Sequence, residues 1–455
     1  MTIEKKGVEK ELSAREVALE RERVIREEIL SKVAELYALR EGQKTFIPGT
    51  SKVHYSGRVF DEKEMQAAVD NMLDFWMTLG EKGTEFVNDF CRFHDRRYGL
   101  VTNSGSSANL IALSALCSPA FPGRLEKGDE VITTASAFPT TVNPILQNGL
   151  IPVFIDIEGD TYNIDPAKIE AALSPRTRAL VFAHTLGNPA QMDVIMDIAR
   201  HHNLYVVEDS CDALDSRYDG QLCGTFGDIS TYSFYAAHHI TMGEGGAILT
   251  DNLALYRQAL SIRDWGRACF CRTGEDNPNG ACGRRFEQKF AGLPDGYDHK
   301  YVYSNIGYNL KPLDVQCAIG IEQLKKLPDF TARRKQNFQA LYEAFAQYQD
   351  YFILPRALPK ADPSWFALPL TVREDAPFTR KKIVTYLESN AIETRMLFSG
   401  NILRHPAYQD IPCRVEGELT YTEQVMERTF FLGVYPGLTA EKLEYIKCAL
   451  RRFFS

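Results

Sequence analysis

Three short segments of the chain carry residue types that suit phosphate binding and proton transfer. Gly105, Ser106 and Ser107 stand just before an apolar helical stretch. Free backbone N–H groups, a helix dipole and two hydroxyls together suit a phosphate, although such a sequence is more often a turn with an N-cap. Asp209 ends an apolar strand pattern, where a carboxylate in isolation most often caps a turn. His238 lies farther on, and its imidazole can transfer a proton near neutral pH.

The ten cysteines provide a second set of candidate groups. Cys211 lies two residues after Asp209, or ~7 Å along a strand, and Cys269, Cys271 and Cys282 follow within one segment. Four thiolates can bind Zn²⁺ or an iron–sulfur cluster, and spacing alone does not separate the two. Free core thiols are the simpler alternative. The cysteines in apolar or helical contexts that favour packing are Cys91, Cys117, Cys317, Cys413 and Cys448.

Short apolar runs alternate with helical patterns between about Thr84 and Leu327. Strands separated by helices predict a largely parallel sheet covered on both faces. In such sheets ligands bind beyond the carboxyl ends of the strands, which is where the candidate residues fall. The predicted strands are 130–134, 152–157, 179–184, 204–208, 230–234 and 247–250, and the predicted helices are 108–117, 166–173, 192–202 and 253–263.

Two smaller parts flank this region. Residues 13–41 are charged, with apolar residues at helical spacing, and predict a structural helix, with a coiled interaction arm as the alternative. Beyond Pro328 we predict helices at 332–348, 380–389 and 439–454 and strands at 366–372 and 392–397. The predicted domains are a helical extension at 1–50, a large domain at 51–328 and a small C-terminal domain at 329–455.

Composition restricts the classes of protein and partner. The chain has 455 residues, 44% of them hydrophobic, and its 52 basic and 60 acidic residues give a net charge of −8. Nucleic acid is disfavoured as a partner because phosphate binding needs a concentrated basic surface. The first residues contain no apolar signal-peptide core, and no run of about 18 apolar residues occurs. We therefore expect a cytoplasmic globular protein without a membrane partner.

The segment from Ser233 to Gly246, S-F-Y-A-A-H-H-I-T-M-G-E-G-G, resembles the cofactor-lysine segment of the DegT/DnrJ/EryC1/StrS sugar aminotransferases, which use pyridoxal phosphate (PLP). In that family a lysine holds the cofactor as a Schiff base. His238 occupies the lysine position, and an imidazole cannot form an imine with the aldehyde. The resemblance covers roughly Thr84 to the C-terminus. It implies a homodimer with the α/β fold of the fold-type I, aspartate aminotransferase-like transferases, in which a large domain with a mostly parallel sheet carries a small α+β domain.

The same resemblance assigns roles to residues in several motifs, among them T-N-S-G-S-S-A-N-L, V-V-E-D-S-C-D-A-L and G-Y-N-L-K-P-L-D. It implies that Asp209 hydrogen-bonds the pyridine nitrogen and that Phe138 stacks on the ring, with a core phenylalanine as the alternative. Asp212 falls near the ring hydroxyl. The residues implied as phosphate contacts are Gly105, Ser106, Ser107, Ser233 and, from across a dimer interface, Asn309. Lys311 replaces the usual arginine, and His239 replaces a common asparagine.

The cysteines add a further resemblance. Cys211, Cys269, Cys271 and Cys282 resemble the [2Fe–2S] ligand set of the family members that are nucleotide-activated 4-keto-6-deoxyhexose 3-dehydrases. Those members use pyridoxamine phosphate (PMP) and carry a histidine in place of the lysine. Ten residues separate Cys271 from Cys282 where seven are usual, so Cys223 stays open as a substitute ligand. The resemblance implies a cluster loop near residues 266–300.

Together these resemblances imply a C-3 dehydration. PMP forms a Schiff base with the C4 ketone of the sugar, His238 removes a proton from the C4′ carbon of the cofactor, and the C3 hydroxyl leaves. Two electrons then arrive through the cluster from an iron–sulfur flavoprotein reductase that uses NAD(P)H. The first choice of substrate is CDP-linked 4-keto-6-deoxyglucose, from 3,6-dideoxyhexose biosynthesis for surface polysaccharide. A dTDP-linked 4-keto-2,6-dideoxyhexose of an antibiotic pathway would need the same chemistry.

Two other hypotheses remain open. One is a PMP dehydratase that lacks a cluster and replenishes its cofactor from glutamate, and the four cysteines argue against it. The other is a non-catalytic homologue that lost its lysine by decay. Intact Asp209, Ser233 and phosphate-loop residues argue against decay.

Overall fold

The computed structural model of the protein describes residues 2–270 and 285–455, with side chains from residue 15 onward. Its α-helices are α1 Thr2–Glu41, α2 Glu62–Leu73, α3 Glu81–His94, α4 Gly105–Leu116, α5 Pro139–Gln147, α6 Met192–His202, α7 Leu253–Arg263, α8 Asp314–Ala346, α9 Arg380–Ser389, α10 Thr420–Arg428 and α11 Ala440–Phe454.

The strands are β1 Tyr98–Thr102, β2 Glu130–Thr134, β3 Ile151–Ile155, β4 Thr177–Ala183, β5 Tyr205–Asp209, β6 Arg217–Tyr218, β7 Gln221–Leu222, β8 Ile229–Ser233, β9 Gly246–Thr250, β10 Phe352–Ile353, β11 Ala361–Asp362, β12 Ala367–Val372, β13 Arg414–Val415 and β14 Thr429–Gly433. An eight-stranded sheet has the order β1-β9-β8-β5-β4-β2-β3-β13. β9 runs antiparallel to β1 and β8, and the other pairs are parallel. The predicted mostly parallel α/β sheet is confirmed.

The central strands form because their residues are buried on both faces. Every residue of β2, β8 and β9 is buried, which is the pattern of a sheet covered by helices on both sides. The helices that follow begin at defined caps. The Ser104 hydroxyl accepts a hydrogen bond from the backbone N–H of Ser107 and starts α4 directly after β1. The parallel strands therefore place their strand-to-helix loops at one edge of the sheet, whereas α7 follows the antiparallel β9 at the other edge.

Two predicted elements differ in the structure. The predicted helix at 166–173 consists of two 3₁₀ turns, Pro166–Lys168 and Glu170–Ala172, because the backbone is already extended at Leu173. The predicted strand at 392–397 is reduced to two isolated bridges. Ile392 pairs with Val53 and Arg395 pairs with Phe431, so this segment links two neighbours instead of following one strand.

A separate hydrophobic core lies in the C-terminal part of the chain, around β10, β12, β14, α9 and α11. Helix α8 joins it to the large sheet and runs without a break through Pro328. The N-terminal helix α1 packs on α2, where the Gln66 amide donates to the carbonyl oxygen of Leu30 at 2.9 Å. No helix within the described residues combines the length and apolar character that a bilayer crossing requires.

Candidate active site

A cavity of about 450 Å³ lies at the carboxyl ends of β1, β4, β5 and β8. We call it the central cavity. Most of the residues predicted for catalysis or cofactor binding line it: Gly105, Ser106, Phe138, Asp209, Asp212, Ser233 and His238, together with Cys211. Ser107 and Asn309 are not among its lining residues. The sheet thus gathers groups that are more than a hundred residues apart in sequence.

One end of the central cavity is the N-terminus of α4. Gly105 is buried there, and a Cβ at this position would lie 2.5 Å from the Cβ of Ser233 and 2.9 Å from the Sγ of Cys211. Only glycine therefore fits. Ser107 faces the helix cap, since the Ser104 hydroxyl donates to its Oγ at 3.0 Å. The free N–H groups, the hydroxyls and the helix dipole form a surface that suits a phosphate.

Asp209 is held in one orientation by side chains that the motifs did not reveal. Its Oδ2 accepts hydrogen bonds from the Asn109 amide at 2.8 Å and the Thr141 hydroxyl at 2.7 Å. Its Oδ1 accepts from the backbone N–H of Cys211 at 3.2 Å. These bonds fix the position of both carboxylate oxygens. Neither residue was singled out from the sequence. Their positions could have suggested them, because Asn109 lies one helical turn beyond the phosphate loop and Thr141 lies three residues after Phe138.

His238 and Asp212 form a pair on the opposite wall. The Nε2 atom of His238 lies 3.2 Å from Oδ1 of Asp212, and both side chains are largely buried. The main chain at His238 is fixed as well, because Nη2 of Arg334 donates to its carbonyl oxygen at 3.2 Å. The Phe366 ring lies 5.6 Å from the imidazole. The pair can take up a proton at Nε2 and stabilise the resulting imidazolium.

The outer wall of the central cavity combines aromatic rings with one cation. Phe138 is 51% exposed, so it is not a core residue, and its ring lies 6.4 Å from that of Phe398. The Arg395 guanidinium lies 4.2 Å from the Tyr55 ring centre. Sequence reasoning missed Arg395, Phe398 and Tyr55, which come from outside the strand-end motifs. Together they provide apolar contacts and a positive charge at the cavity mouth.

The two predicted cluster ligands that the structure describes lie in different cavities. Cys211 lies in the central cavity, and burial together with the Asp209 carboxylate raises the pKa of its thiol well above the ordinary value. Cys269 lies in a second cavity of about 800 Å³ between α3, β1 and α7, which we call the Cys269 groove. Cys271 and Cys282 lie outside the described residues. Within residues 2–270 and 285–455, no group of three or more His, Cys, Asp and Glu side chains is arranged to hold a metal ion.

Two further predicted residues can be placed. Cys223 is 1% exposed and lines neither the central cavity nor the Cys269 groove. Asn309 is exposed, and the neighbouring Leu310 carbonyl accepts a hydrogen bond from the N–H of Asn103 at 2.8 Å, beside the phosphate loop. Lys311 lies over the Trp265 ring at 3.6 Å. The segment around Asn309 therefore lies next to the phosphate end without entering it.

The fold and this site define a class of protein. The chain matches the DegT/DnrJ/EryC1/StrS aminotransferase family over residues 59–451 and belongs to that family. The protein therefore has the fold of these enzymes.

Relatives refine the comparison. The chain is 48% identical over 431 residues to the lipopolysaccharide biosynthesis protein RfbH of Salmonella typhimurium, covering 94% of this chain and 98% of the relative. It is 47% identical over 429 residues to dTDP-4-dehydro-2,6-dideoxy-D-glucose 3-dehydratase of Saccharopolyspora spinosa, covering 94% and 92%. A solved E. coli structure, GDP-4-keto-6-deoxy-D-mannose-3-dehydratase with bound hydrated PLP, matches with a TM-score of 0.78 at 29% identity, covering 88% of this chain and 100% of that one. These likenesses confirm the fold-type I architecture.

Proposed function

We propose that this enzyme removes the C3 hydroxyl of a nucleotide-linked 4-keto-6-deoxyhexose, with PMP as its cofactor and His238 as the base. The observation that carries the proposal is the His238–Asp212 pair at 3.2 Å, in the cavity that also holds Asp209. If the lysine had been lost by decay, nothing would favour a carboxylate beside the residue that replaced it. The pair supports a proton-transfer role for His238.

The residues of the central cavity fit the cofactor. Gly105, Ser106 and Ser233 suit the phosphate, and the buried, hydrogen-bonded Asp209 suits a protonated ring nitrogen. Half-exposed Phe138 can cover a ring face. PMP supplies an amine for the sugar ketone and a ring that takes up the charge left when its C4′ carbon loses a proton.

Residues of the chain provide proton transfer and orient the cofactor. His238 would take the C4′ proton at Nε2, and the Asp212 carboxylate 3.2 Å away would then stabilise the imidazolium as an ion pair. Asp209 keeps the ring nitrogen protonated, while Asn109 and Thr141 hold its carboxylate in the required orientation. Phe366 and Phe398 give the central cavity apolar walls.

The relatives support a nucleotide-sugar substrate. One is named as a dTDP-4-dehydro-2,6-dideoxy-D-glucose 3-dehydratase, and another is a lipopolysaccharide biosynthesis protein. CDP-4-keto-6-deoxyglucose remains the first choice, and the dTDP-linked sugar is supported equally by these names. Parallel turnover assays with the two nucleotide sugars and a reductase test the choice. Turnover of neither sugar would contradict the proposed substrate class.

The reductive half of the proposal depends on a [2Fe–2S] cluster held by Cys211, Cys269, Cys271 and Cys282. Cys211 supports it, because its thiol lines the central cavity two residues after Asp209. A cluster there would be within electron-transfer reach of the cofactor. The electron donor would be an iron–sulfur flavoprotein reductase, and the enzyme would act as a homodimer.

One observation favours a second candidate, a cluster-independent PMP 3-dehydratase. Cys211 and Cys269 line two different cavities of the chain. Protein purified without oxygen should contain two iron and two sulfide per chain and show a brown visible absorbance if the cluster exists. Iron-free protein that dehydrates the sugar with glutamate as amino donor would support the second candidate. Protein that binds neither PMP nor iron would contradict both.

A further inference from the structure

A second, much smaller cavity lies behind the His238 side chain. It is lined by Ala236, His238, His239, Thr241, Gln323 and Arg334, among others, and we call it the rear pocket. Its volume is about 10 Å³, which is the space that one water molecule needs. It lies between the segment after β8 and helix α8, whereas the Nε2 atom of His238 is directed to Asp212 in the central cavity.

Three buried nitrogens on the residues of this pocket lack a hydrogen-bond partner among the described residues. They are Nδ1 of His238, Nδ1 of His239 and Nε of Arg334. A buried polar atom without a partner costs free energy, and the large majority of buried side-chain polar atoms in native proteins find one. Three of them on one pocket of this size therefore indicate a shared polar ligand.

The donor and acceptor character of two of these atoms is fixed by their other contacts. Nε2 of His239 donates to the carbonyl oxygen of Ser364 at 2.6 Å, so Nδ1 is the acceptor of a neutral ring. Burial holds the pKa of His239 well below its ordinary value, which keeps the ring neutral. The Nε–H of Arg334 can only donate. Burial lowers the pKa of Arg334 to about 9, so the guanidinium is still charged at neutral pH.

We infer that the rear pocket binds one water molecule, which accepts hydrogen bonds from Nδ1–H of His238 and Nε–H of Arg334 and donates one to Nδ1 of His239. This arrangement gives the water three hydrogen bonds, the usual number for a buried water. It gives each of the three nitrogens its one missing partner. Arg334 and His239 are thereby positioning residues, which act through the water on the base.

This inference rests on the proposed function of His238 and explains how the ring is prepared for it. A neutral imidazole carries a single proton, on either nitrogen. Nε2 lies 3.2 Å from Oδ1 of Asp212 without forming a hydrogen bond with it, whereas Nδ1–H donates to the water. The Nε2 lone pair therefore faces the central cavity and can accept the C4′ proton. After transfer the imidazolium has a partner on each side, the Asp212 carboxylate at Nε2 and the water at Nδ1.

A crystal structure of the PMP-loaded protein tests the water directly. We expect one ordered water within hydrogen-bonding distance of the three nitrogens. Selective ¹⁵N labelling of histidine should show His238 protonated at Nδ1 and His239 at Nε2. A dry pocket, or a neutral His238 protonated at Nε2, overturns the inference. Both readouts are independent of turnover, so the water and the proposed base can fail separately. If the water is present but His238→Asn keeps full turnover, the proposed base is wrong and the water site still stands.

A matched pair of variants tests the role of the site. His239→Asn keeps an acceptor near the position of Nδ1, whereas His239→Leu removes it. We expect His239→Leu to lose the water and to slow exchange of the C4′ proton about tenfold, and His239→Asn to retain most of the rate, with PMP affinity unchanged in both. Equal rates in the two variants overturn the positioning role. Should His239→Leu fail to fold, the structure and the ¹⁵N spectra of the unaltered protein decide.

Discussion

The central cavity and the Cys269 groove are built in different ways. The predicted site residues of the central cavity come from loops that follow β1, β2, β5 and β8, so the parallel sheet dictates where they meet. The groove lies between α3, β1 and α7, and Cys269 stands on the chain beyond the end of α7. The sheet therefore positions the proposed site of proton transfer, while the predicted cluster also depends on a segment outside the sheet.

The two regions also differ in charge. The central cavity has three carboxylates, Asp209, Asp212 and Glu244, against the single guanidinium of Arg395. The groove has Asp264 against a set of cations: Arg92, Arg96, Arg97, Arg257, Arg263, Arg267 and Lys300. A basic surface attracts an acidic protein partner and accelerates its approach. Under the proposed function, proton transfer belongs to the central cavity, and the basic groove is the candidate docking surface for the reductase.

The largest expected effect comes from removing the base. His238→Asn should lower dehydration by about 10²–10⁴-fold, because an amide cannot accept the C4′ proton. PMP binding and iron content should stay nearly unchanged, since the phosphate and ring contacts are elsewhere in the central cavity. Single-turnover dehydration assays and cofactor titration measure both. His201→Asn, at the exposed end of α6, is the control. Unchanged turnover in His238→Asn would remove this residue from the mechanism.

The next prediction asks whether the two regions share one cluster. Cys211→Ser and Cys269→Ser should each lose most of the bound iron, because a [2Fe–2S] cluster needs all four thiolates. Iron analysis and visible absorbance measure the loss, while C4′ proton exchange should persist. Cys91→Ser is a matched control, since Cys91 lines the same groove as Cys269 but is not a predicted ligand. Full iron in Cys269→Ser, or loss in Cys223→Ser, contradicts the ligand set.

A smaller effect is expected at Asp212. Asp212→Asn should lower the rate constant of dehydration about tenfold, because the imidazolium loses its ion-pair contact with the Asp212 carboxylate at 3.2 Å. PMP affinity should change little. The sequence resemblance placed Asp212 near the ring hydroxyl, and that role predicts the opposite pattern. Titration of PMP together with single-turnover kinetics separates the two, and a variant that loses affinity while keeping its rate contradicts the pairing with His238.

The sequence predicted the residues that the sheet positions. Gly105, Asp209 and Ser233 lie at strand ends, where alternating strand and helix patterns fix their place. Arg395 and Arg334 were missed because they come from the chain around the small domain, and the docking of that domain leaves no local pattern. Likewise, the pairing of His238 with Asp212 joins two loops after neighbouring strands, and only the side-chain rotamers bring them together.

The smallest expected effect concerns docking of the proposed reductase at the Cys269 groove. Arg257 is exposed there and lies 5.5 Å from the Phe270 ring. Arg257→Glu should raise the KM for the reductase a few-fold at low salt, since rim charges act mainly on association and are screened by ions. Turnover driven by a small chemical reductant should be unaffected, and Arg200→Glu on α6 provides an exposed control outside the groove. An unchanged KM contradicts docking at the groove, and so does an Arg257→Glu chain that dissociates into monomers, because the groove would then be an interface between subunits.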